Sequence, residues 1–410
     1  MTATDPSQHP PRIRIAELPI LLALFLDLAA FGMVFPAVQL HARELGANGP
    51  VIGFLLASMF LVQMVASPPW GIASDRVGRK PVFLFCTSLS AISWVVYGLS
   101  TNLWIILVSR ILAGLAAANV VVAQAYLADI TPEDQRGAAM GRAGAAISGG
   151  LILGPAVGMH IVQRYGTPTL GFIAATCSGL AVLCGLFMAK PVRIEAQRPG
   201  SRFGFDFSLV KDNAQLRPLV LLATIAWFAL ATLEGTFGRL ITEHYRLPQS
   251  IFGDIFSMES LIGAIVQGVI LGWVVSKLGE RWTLRVGFFL VGFGLLLTPF
   301  APLVWLLFLF SALYSIGSAL SNPTLNSAAS LLVPENRQGE LFGLLQGTRS
   351  VGFLIGPALG GALFDWRPQA PYLLAGTVGL VASLLVPNLA SRPSANRLEE
   401  PAPGLSTQQQ

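Results

Sequence analysis

Three carboxylates stand inside long apolar runs of this sequence, Asp27, Glu234 and Glu259, and two arginines, Arg110 and Arg349, share that setting. A charge in such a run has no water around it. At the centre of a membrane helix an acid or arginine costs about 2.5–3.5 kcal/mol on insertion scales, so it is rarely idle. A carboxyl that gains a proton from one side and releases it to the other can carry protons. Asp27 lies about nine residues into its run, roughly 14 Å deep at 1.5 Å per residue. Arg110 keeps its proton in practice; it could pair with Asp27 or serve as a helix-to-helix hydrogen-bond donor. Glu234 sits in the outer half of its run and Glu259 near the middle, and Arg349 could pair with either. Each of these groups could instead be neutralised by one fixed local partner. Asp254, near the outer mouth, is expected to be wet.

A second polar feature is "GIASDRVGRKPVF" at 71–83, four charges and two glycines in thirteen residues of a chain that is 53% hydrophobic and 11% charged. It lies between two apolar runs and reads as a short loop. Asp75, Arg76, Arg79 and Lys80 supply its charges. Gly71 and Gly78 would permit close packing and a tight turn. Asp129 ends a later run on the same face. The loop could latch a conformation, or could serve only as a basic anchor that sets topology.

The elements that hold these residues follow from composition. A soluble domain cannot cover its surface with so little polar material. Runs of about 20 apolar residues cross roughly 30 Å of hydrocarbon as helices, and helices satisfy their backbone groups internally. The alternation of a membrane β-barrel is missing. We expect an all-α membrane protein with twelve transmembrane helices, at about 18–40, 50–73, 81–100, 104–128, 138–162, 168–189, 217–242, 250–276, 282–300, 303–328, 340–364 and 369–390. The organisation is then a cytoplasmic tail at 1–17, a six-helix bundle at 18–189, a polar cytoplasmic linker at 190–216, a second six-helix bundle at 217–390 and a tail at 391–410. That last tail, rich in Pro, Ser and Gln, is expected to be disordered. With the N-terminus cytoplasmic, the inside segments hold 19 of the 26 Lys+Arg residues. The outside loops hold Arg43, Arg164, Arg239, Arg246 and Arg367. Basic residues mark the inner side of a membrane, so both termini are expected in the cytoplasm, and the net charge of +5 is a topology signal rather than a sign of nucleic acid. The three cysteines, Cys86, Cys177 and Cys184, fall inside apolar runs with no CxxC or metal spacing.

The halves repeat one another. "GPAVG" at 154–158 returns as "GPALG" at 356–360, and "GIASDRVGRK" at 71–80 has a weak echo in "GWVVSKLGER" at 272–281. Pro132, Gly137 and Gly141 recur as Pro334, Gly339 and Gly343. Two parallel halves describe a carrier that rocks around a central site.

These stretches resemble the major facilitator superfamily. "GIASDRVGRKPVF" is similar to its loop between the second and third helices, and "SRILAGLAAA" at 109–118 to its fourth-helix motif. "GGLILGPAVGM" at 149–159 resembles the fifth-helix motif of the drug/proton antiporter branch. "LDLAAFGMVFPAVQLHAREL" at 26–45 and "AYLADITPEDQRGAAMG" at 125–141 look like the tetracycline-type efflux proteins within it. Two departures stand out. Met159 replaces a second glycine in the fifth-helix motif, and the third and ninth spans carry none of the acids that tetracycline exporters have there.

The resemblance implies a conformational latch of Gly71, Asp75, Arg76, Gly78, Arg79, Lys80 and Asp129 that bridges to the start of the eleventh helix. It implies an antiporter helix at the interface of the halves through Gly150, Gly154, Pro155 and Gly158, whose small residues also suit ordinary tight packing. Proton coupling is assigned to Asp27, Arg110, Glu234 and Glu259. Phe31, Gln63, Asn119, Gln124, Gln267, Asn322, Asn326, Gln346 and Arg349 are candidates for the substrate cavity, with Trp227, Phe228 and Tyr314 as further aromatic surface.

The function expected is proton-coupled efflux of small amphipathic compounds by alternating access at the plasma membrane. The partners are then a small-molecule substrate, protons and the lipid bilayer, with no nucleic acid, and the protein acts as a monomer. No cofactor or metal is expected, and without a GxxxxGK[ST] motif the driving force is an ion gradient. The rival readings are a proton-coupled importer of a sugar or metabolite and a non-transporting receptor. An intramembrane enzyme would need a catalytic cluster, and His9, His41, His160 and His244 do not form one.

Overall fold

A chain in hydrocarbon satisfies its N–H and C=O groups along its own length, and the apolar runs accordingly form helices. The computed structural model describes residues 16–132, 135–188, 213, 215–334 and 337–387, without the side chains at 338, 339, 342, 343 and 346. The helices are α1 (Leu18–Glu44), α2 (Gly49–Val77), α3 (Arg79–Gly98), α4 (Leu103–Ala116), α5 (Asn119–Ile130), α6 (Arg136–Tyr165), α7 (Thr167–Leu186), α8 (Leu216–Arg239), α9 (Gln249–Ile265), α10 (Leu271–Leu297), α11 (Val304–Ser330), α12 (Gln338–Trp366) and α13 (Ala370–Leu385). Among the described residues, nine helical segments are long and apolar enough to cross a membrane. One of them, Gln249–Phe300, is 52 residues long, enough for two crossings.

Local chemistry sets several boundaries. Asn48 and Asn102 cap α2 and α4 by accepting from the N–H groups of Val51 and Ile105. Prolines open α1, α2, α7 and α13, where a missing N–H costs nothing. Two glycines make the sharpest breaks. Gly78, at φ 111°, is the sole residue between α2 and α3, and Gly279, at φ 75°, kinks α10. The two are 201 positions apart, the offset at which the sequence echoes itself, and both need a backbone that L side chains rarely adopt. Single π-type turns extend α8 at Leu240–His244 and join α9 to α10 at Val266–Ile270.

Three sequence expectations are corrected here. The charged knot is no loop, since all of it except Gly78 is helical. The fourth span is interrupted at Ala117 and Ala118, between α4 and α5. Arg239 is no outside-loop residue but lies on α8, 2% exposed, because Glu243 and Asp365 neutralise it there. The expected linker and C-terminal tail, apart from Asn213, Gln215 and Leu216, lie outside the described residues, as does most of the N-terminal tail.

The helices before residue 189 form one packed group, with α1 on α6 and α7, α3 on α4 and α7, and α2 on α4. Those after residue 215 form a second, with α8 on α12 and α13, α10 on α11 and α13, and α9 on α11. The groups meet where α2 packs on α12 and α6 on α9. The repeat therefore has a spatial counterpart. On α6, Gly150, Gly154 and Gly158 lie against the backbone of α1; on α12, Gly356 and Gly360 lie against α8. The contacts between groups gather at one end, where Gly49 meets Gly361, Gly53 meets Pro357 and Ala358, and Gly253 meets Pro155 and Met159. A side chain at 49 or 361 would collide with the opposite backbone. We call this the sealed end. Towards the other end, Gly71, Gly137, Gly141, Gly144, Gly268 and Gly272 have no neighbouring atom within 4 Å of where a Cβ would stand, so the faces of α2, α6 and the α9–α10 junction that carry them meet no other helix there.

Candidate functional site

Two clusters of buried polar groups lie between the ends, one in each group. In the first, Asp27 on α1 is 5% exposed. It accepts hydrogen bonds from Ser178 of α7 at 2.6 Å, from Ser90 of α3 at 3.0 Å, and from Asn119 of α5. Both carboxylate oxygens are thus engaged, and one side chain ties four helices. A buried acceptor with three donors is a strong node, because each partner lost would leave a buried polar group unmet.

Arg110 is not the partner of Asp27. It is fully buried on α4, 5.2 Å from the Trp94 ring and 5.4 Å from the Tyr97 ring, and it donates to Ser109 at 3.1 Å. Its Nε and Nη1 have no hydrogen-bond partner. The aromatic faces answer its charge in place of a carboxylate, and the serines and Asn119 have already taken Asp27. Pairing with Asp27, one of the roles the sequence left open for Arg110, is therefore not the one found.

The second cluster gathers Glu234 of α8, Glu259 of α9, Tyr314 of α11 and Arg349 of α12. Arg349 and Glu234 feel one another's charge, and Tyr314 lies in the field of both carboxylates. Ser311 lies beside the Glu259 carboxylate and Ser318 beside the Tyr314 hydroxyl. Glu234 Oε2, Glu259 Oε1, the Tyr314 hydroxyl and Arg349 Nε are buried without a hydrogen-bond partner. The Arg349 guanidinium sits 4.9 Å from Trp227, 5.7 Å from Phe353 and 5.8 Å from Phe60. Phe60 belongs to α2 and stacks on Phe353 of α12 at 3.9 Å, so this aromatic wall spans both groups. Buried polar atoms in native proteins are nearly always bonded, and a concentration of unbonded ones marks a place where a ligand, a proton or water belongs.

The remaining candidates scatter. Asn119 is occupied by Asp27. Phe31 stacks on Phe35 at 5.2 Å, and Asn322 donates to Ser318 at 3.1 Å. Gln63 and Gln124 are half-buried, while Gln267 and Asn326 are exposed. The Gln346 side chain lies outside the described residues. Asp254 is half-exposed and 3.7 Å from His160.

At the open end Arg79 bonds Asp75 at 2.6 Å, Asp129 at 3.0 Å and Ser74 at 2.6 Å. Lys80 donates to the carbonyls of Leu186 and Met188. Arg76 is exposed. These bonds stay within the first group. Gly71, expected to permit close packing, packs against nothing because the end is open.

The sealed end holds groups to which the sequence reading gave no site role. Arg239 donates to Glu243 at 2.9 and 3.1 Å and to Asp365 at 2.8 Å, with its guanidinium 4.4 Å from Phe364. Asp365 also accepts the Gly49 N–H at 2.7 Å, and Arg43 donates to Glu243 at 3.1 Å. Gln39 of α1 donates to the Glu234 carbonyl and accepts the Gly238 N–H. Ser257 of α9 accepts the Ala156 N–H at 2.9 Å. The spacing of Arg239 and Glu243, four apart on a helix, and an uncapped glutamine amid apolar residues were the available signals.

The comparisons with known proteins agree with this architecture. The model of the Major Facilitator Superfamily matches residues 20–240 and 219–407. Multidrug resistance protein 2 of Bacillus subtilis (strain 168) is 29% identical over 374 residues, covering 88% of this chain and 92% of its own. Tetracycline resistance protein, class E, of Escherichia coli is 28% identical over 358 residues, 84% of this chain and 87% of its own. Among solved structures, the nucleoside transporter NupG superposes with a TM-score of 0.76 at 16% identity over 90% of this chain and 98% of its own. The fold, the repeat and these matches together place the chain in the Major Facilitator Superfamily, as a multi-pass membrane transporter of small molecules and not an enzyme.

Proposed function

We propose that this protein is a proton-coupled efflux transporter of small amphipathic compounds at the plasma membrane, working by alternating access as a monomer. The observation that carries the reading is the Glu234–Glu259–Tyr314–Arg349 cluster, with four polar atoms lacking a partner beside an aromatic wall shared by both groups. The kinship to multidrug and tetracycline resistance proteins supports drugs as the substrate class.

The chain makes twelve crossings, counting Gln249–Phe300 as two and α12 and α13 as one each, with both termini and the Arg79 knot in the cytoplasm. The sealed end then faces outside, and the site opens inward. In the cycle, a substrate entering from the cytoplasm competes with a proton for Glu234 and Glu259. A carboxylate cannot neutralise Arg349, hold a proton and bind a cationic or hydrogen-bonding substrate at the same time, and that exclusivity links the two fluxes. Substrate leaves to the outside when protons replace it, and proton release inward resets the site. Arg349 biases the carboxylates towards giving up their proton once the substrate arrives. Glu234 and Glu259 carry this exchange, while Asp27, with both oxygens engaged, would need to break a helix-tying bond to take part. The Arg79–Asp75–Asp129 knot holds the inner ends of the first bundle as a unit that can dock on α12 when the inner side closes.

The test uses inverted vesicles energised to an acidic lumen. Adding cationic dyes or antibiotics should collapse the pH gradient in vesicles carrying the protein. A panel that leaves the gradient intact, while the protein demonstrably binds a member of that panel, would overturn the antiport reading.

A further inference from the structure

Gln39 crosses from one bundle to the other at a singular place. Its side chain is fully buried on α1. Its Nε2 donates to the carbonyl of Glu234 at 3.0 Å, and its Oε1 accepts the N–H of Gly238 at 3.2 Å. Those two backbone groups, four residues apart, are the pair an α-helix bonds to each other. One amide therefore engages both ends of a single turn of α8, and that turn begins at the buried acid. The slot for it is built in, because a Cβ on Gly238 would stand 2.8 Å from Gln39 Cδ. The next residue, Arg239, begins the bonds of the sealed end, through Asp365 to Gly49 and through Glu243 to Arg43. Ten residues of α8 and its π-type turn, 234–243, thus carry the acid, the inter-bundle clamp and the closing ion pairs in one rigid stretch. π-type turns recur at functional sites.

We propose that Gln39 is the positioning residue through which the state of Glu234 controls the sealed end, an inference that rests on Glu234 carrying a proton as set out above. The groups that face Glu234 are Arg349 from α12, Glu259 from α9 and Tyr314 from α11. From α13, Tyr372 approaches the same turn through its hydroxyl contact with Thr236 at 3.1 Å, and α1 contributes the uncharged Gln39. When Glu234 exchanges its proton its attraction to Arg349 changes, and the turn it starts shifts. Gln39 needs the carbonyl and the N–H at one-turn spacing, so both bonds are kept or lost together. This converts a local change of charge into an all-or-none release of α1 from α8, and the Arg43–Glu243 and Gly49–Asp365 bonds part with it. Two net hydrogen bonds correspond to about a tenfold change in the ratio of closed to open outer ends.

The experiment is a pair of spin labels at Leu99, which follows α3, and Phe300, which ends the 3₁₀ turn Thr298–Phe300 after α10, both exposed at the sealed end, in full-length protein reconstituted in lipid with the three cysteines replaced by alanine. The distance distribution is recorded from pH 5 to 9. Gln39→Met keeps the volume and loses both bonds, and Gly238→Ala expels the amide from the other side. The proposal expects the unsubstituted protein to change its open fraction with pH. Either variant should be about tenfold more open and insensitive to pH. Glu234→Gln, with the clamp intact, should also be insensitive to pH. Wild-type distances and pH response in both Gln39→Met and Gly238→Ala would overturn the proposal. If Glu234→Gln keeps the full pH response while the clamp variants lose it, the failure lies in the proton-carrier assignment, and the proposal falls by that route instead.

Discussion

Neutralising Asp365 tests the ion pairs of the sealed end without emptying the seam. Asp365→Asn keeps one acceptor oxygen for the Gly49 N–H, 2.7 Å away, and puts an NH2 in place of the oxygen that accepts from Arg239 at 2.8 Å, so the charge and that hydrogen bond go together. Arg239 is 2% exposed and Asp365 33%, so the pair is buried on one side and wet on the other. Breaking a fully buried pair costs about 3–5 kcal/mol, whereas exposed pairs are worth about 0–1 kcal/mol. Arg239 also keeps both bonds to Glu243, which lowers the cost further. We place the loss at about 1–2 kcal/mol, a factor of roughly 5–30 in an equilibrium constant. Arg239 and Asp365 lie in the same bundle, so the pair bears on the seam by holding Asp365 where it grips Gly49 of the other bundle. The part of the loss felt at the seam should appear as a rise of up to that size in the outer-open fraction, read from the Leu99/Phe300 label pair. Arg43→Gln, whose side chain is 45% exposed, serves as the weak comparison and should shift the ratio less than about fivefold. An Asp365→Asn protein whose open fraction stays within twofold of wild type would refute the reasoning, and a larger effect from Arg43→Gln would reverse its logic.

Other expectations concern the two acids and the seam. Gly53→Val should hold the outer end open and abolish efflux while binding of substrate from outside persists, because its side chain would run into the backbone of Pro357 and Ala358, which cannot yield; normal efflux would contradict the close approach. Asp27→Ala should destabilise the protein in detergent by about 2 kcal/mol, since Ser90, Ser178 and Asn119 lose a shared buried acceptor. Glu234→Gln should leave thermal stability near wild type while removing substrate-driven proton movement, and the opposite pattern in the two variants would exchange their roles. Arg79→Gln should reduce the outer-open fraction, because the knot it centres is needed only when the inner ends close; an unchanged fraction would leave the knot as a topology anchor.

The helical membrane architecture was readable because a run of twenty apolar residues has few ways to satisfy its backbone in lipid, and the repeated GPxxG stretches announced the two related bundles. The breaks were harder. Gly78 ends α2 alone, and the charges around it, which suggested a loop, sit comfortably on helices at the membrane edge. Asp27, Glu234 and Glu259 were visible as acids out of place, yet a single sequence cannot say which of them is already satisfied. That depends on Ser90, Ser178 and Asn119 converging from three other helices. Arg239 misled for a related reason. Its charge looked like an outside loop, and only the fold brings Asp365, 126 residues away, to neutralise it. Gln39 was passed over among apolar neighbours because its partners are backbone atoms of another bundle, and backbone partners leave no mark in residue types.

The central claim is that proton and substrate exchange at the Glu234–Glu259 cluster. The most direct measurement uses purified protein in liposomes with an imposed pH gradient and no other energy source, following uphill movement of a transported drug together with proton flux. The account predicts drug accumulation that vanishes when the gradient is dissipated, with Glu234→Gln retaining downhill exchange of drug but losing both accumulation and proton flux. Undiminished accumulation in a protein carrying both Glu234→Gln and Glu259→Gln would contradict it.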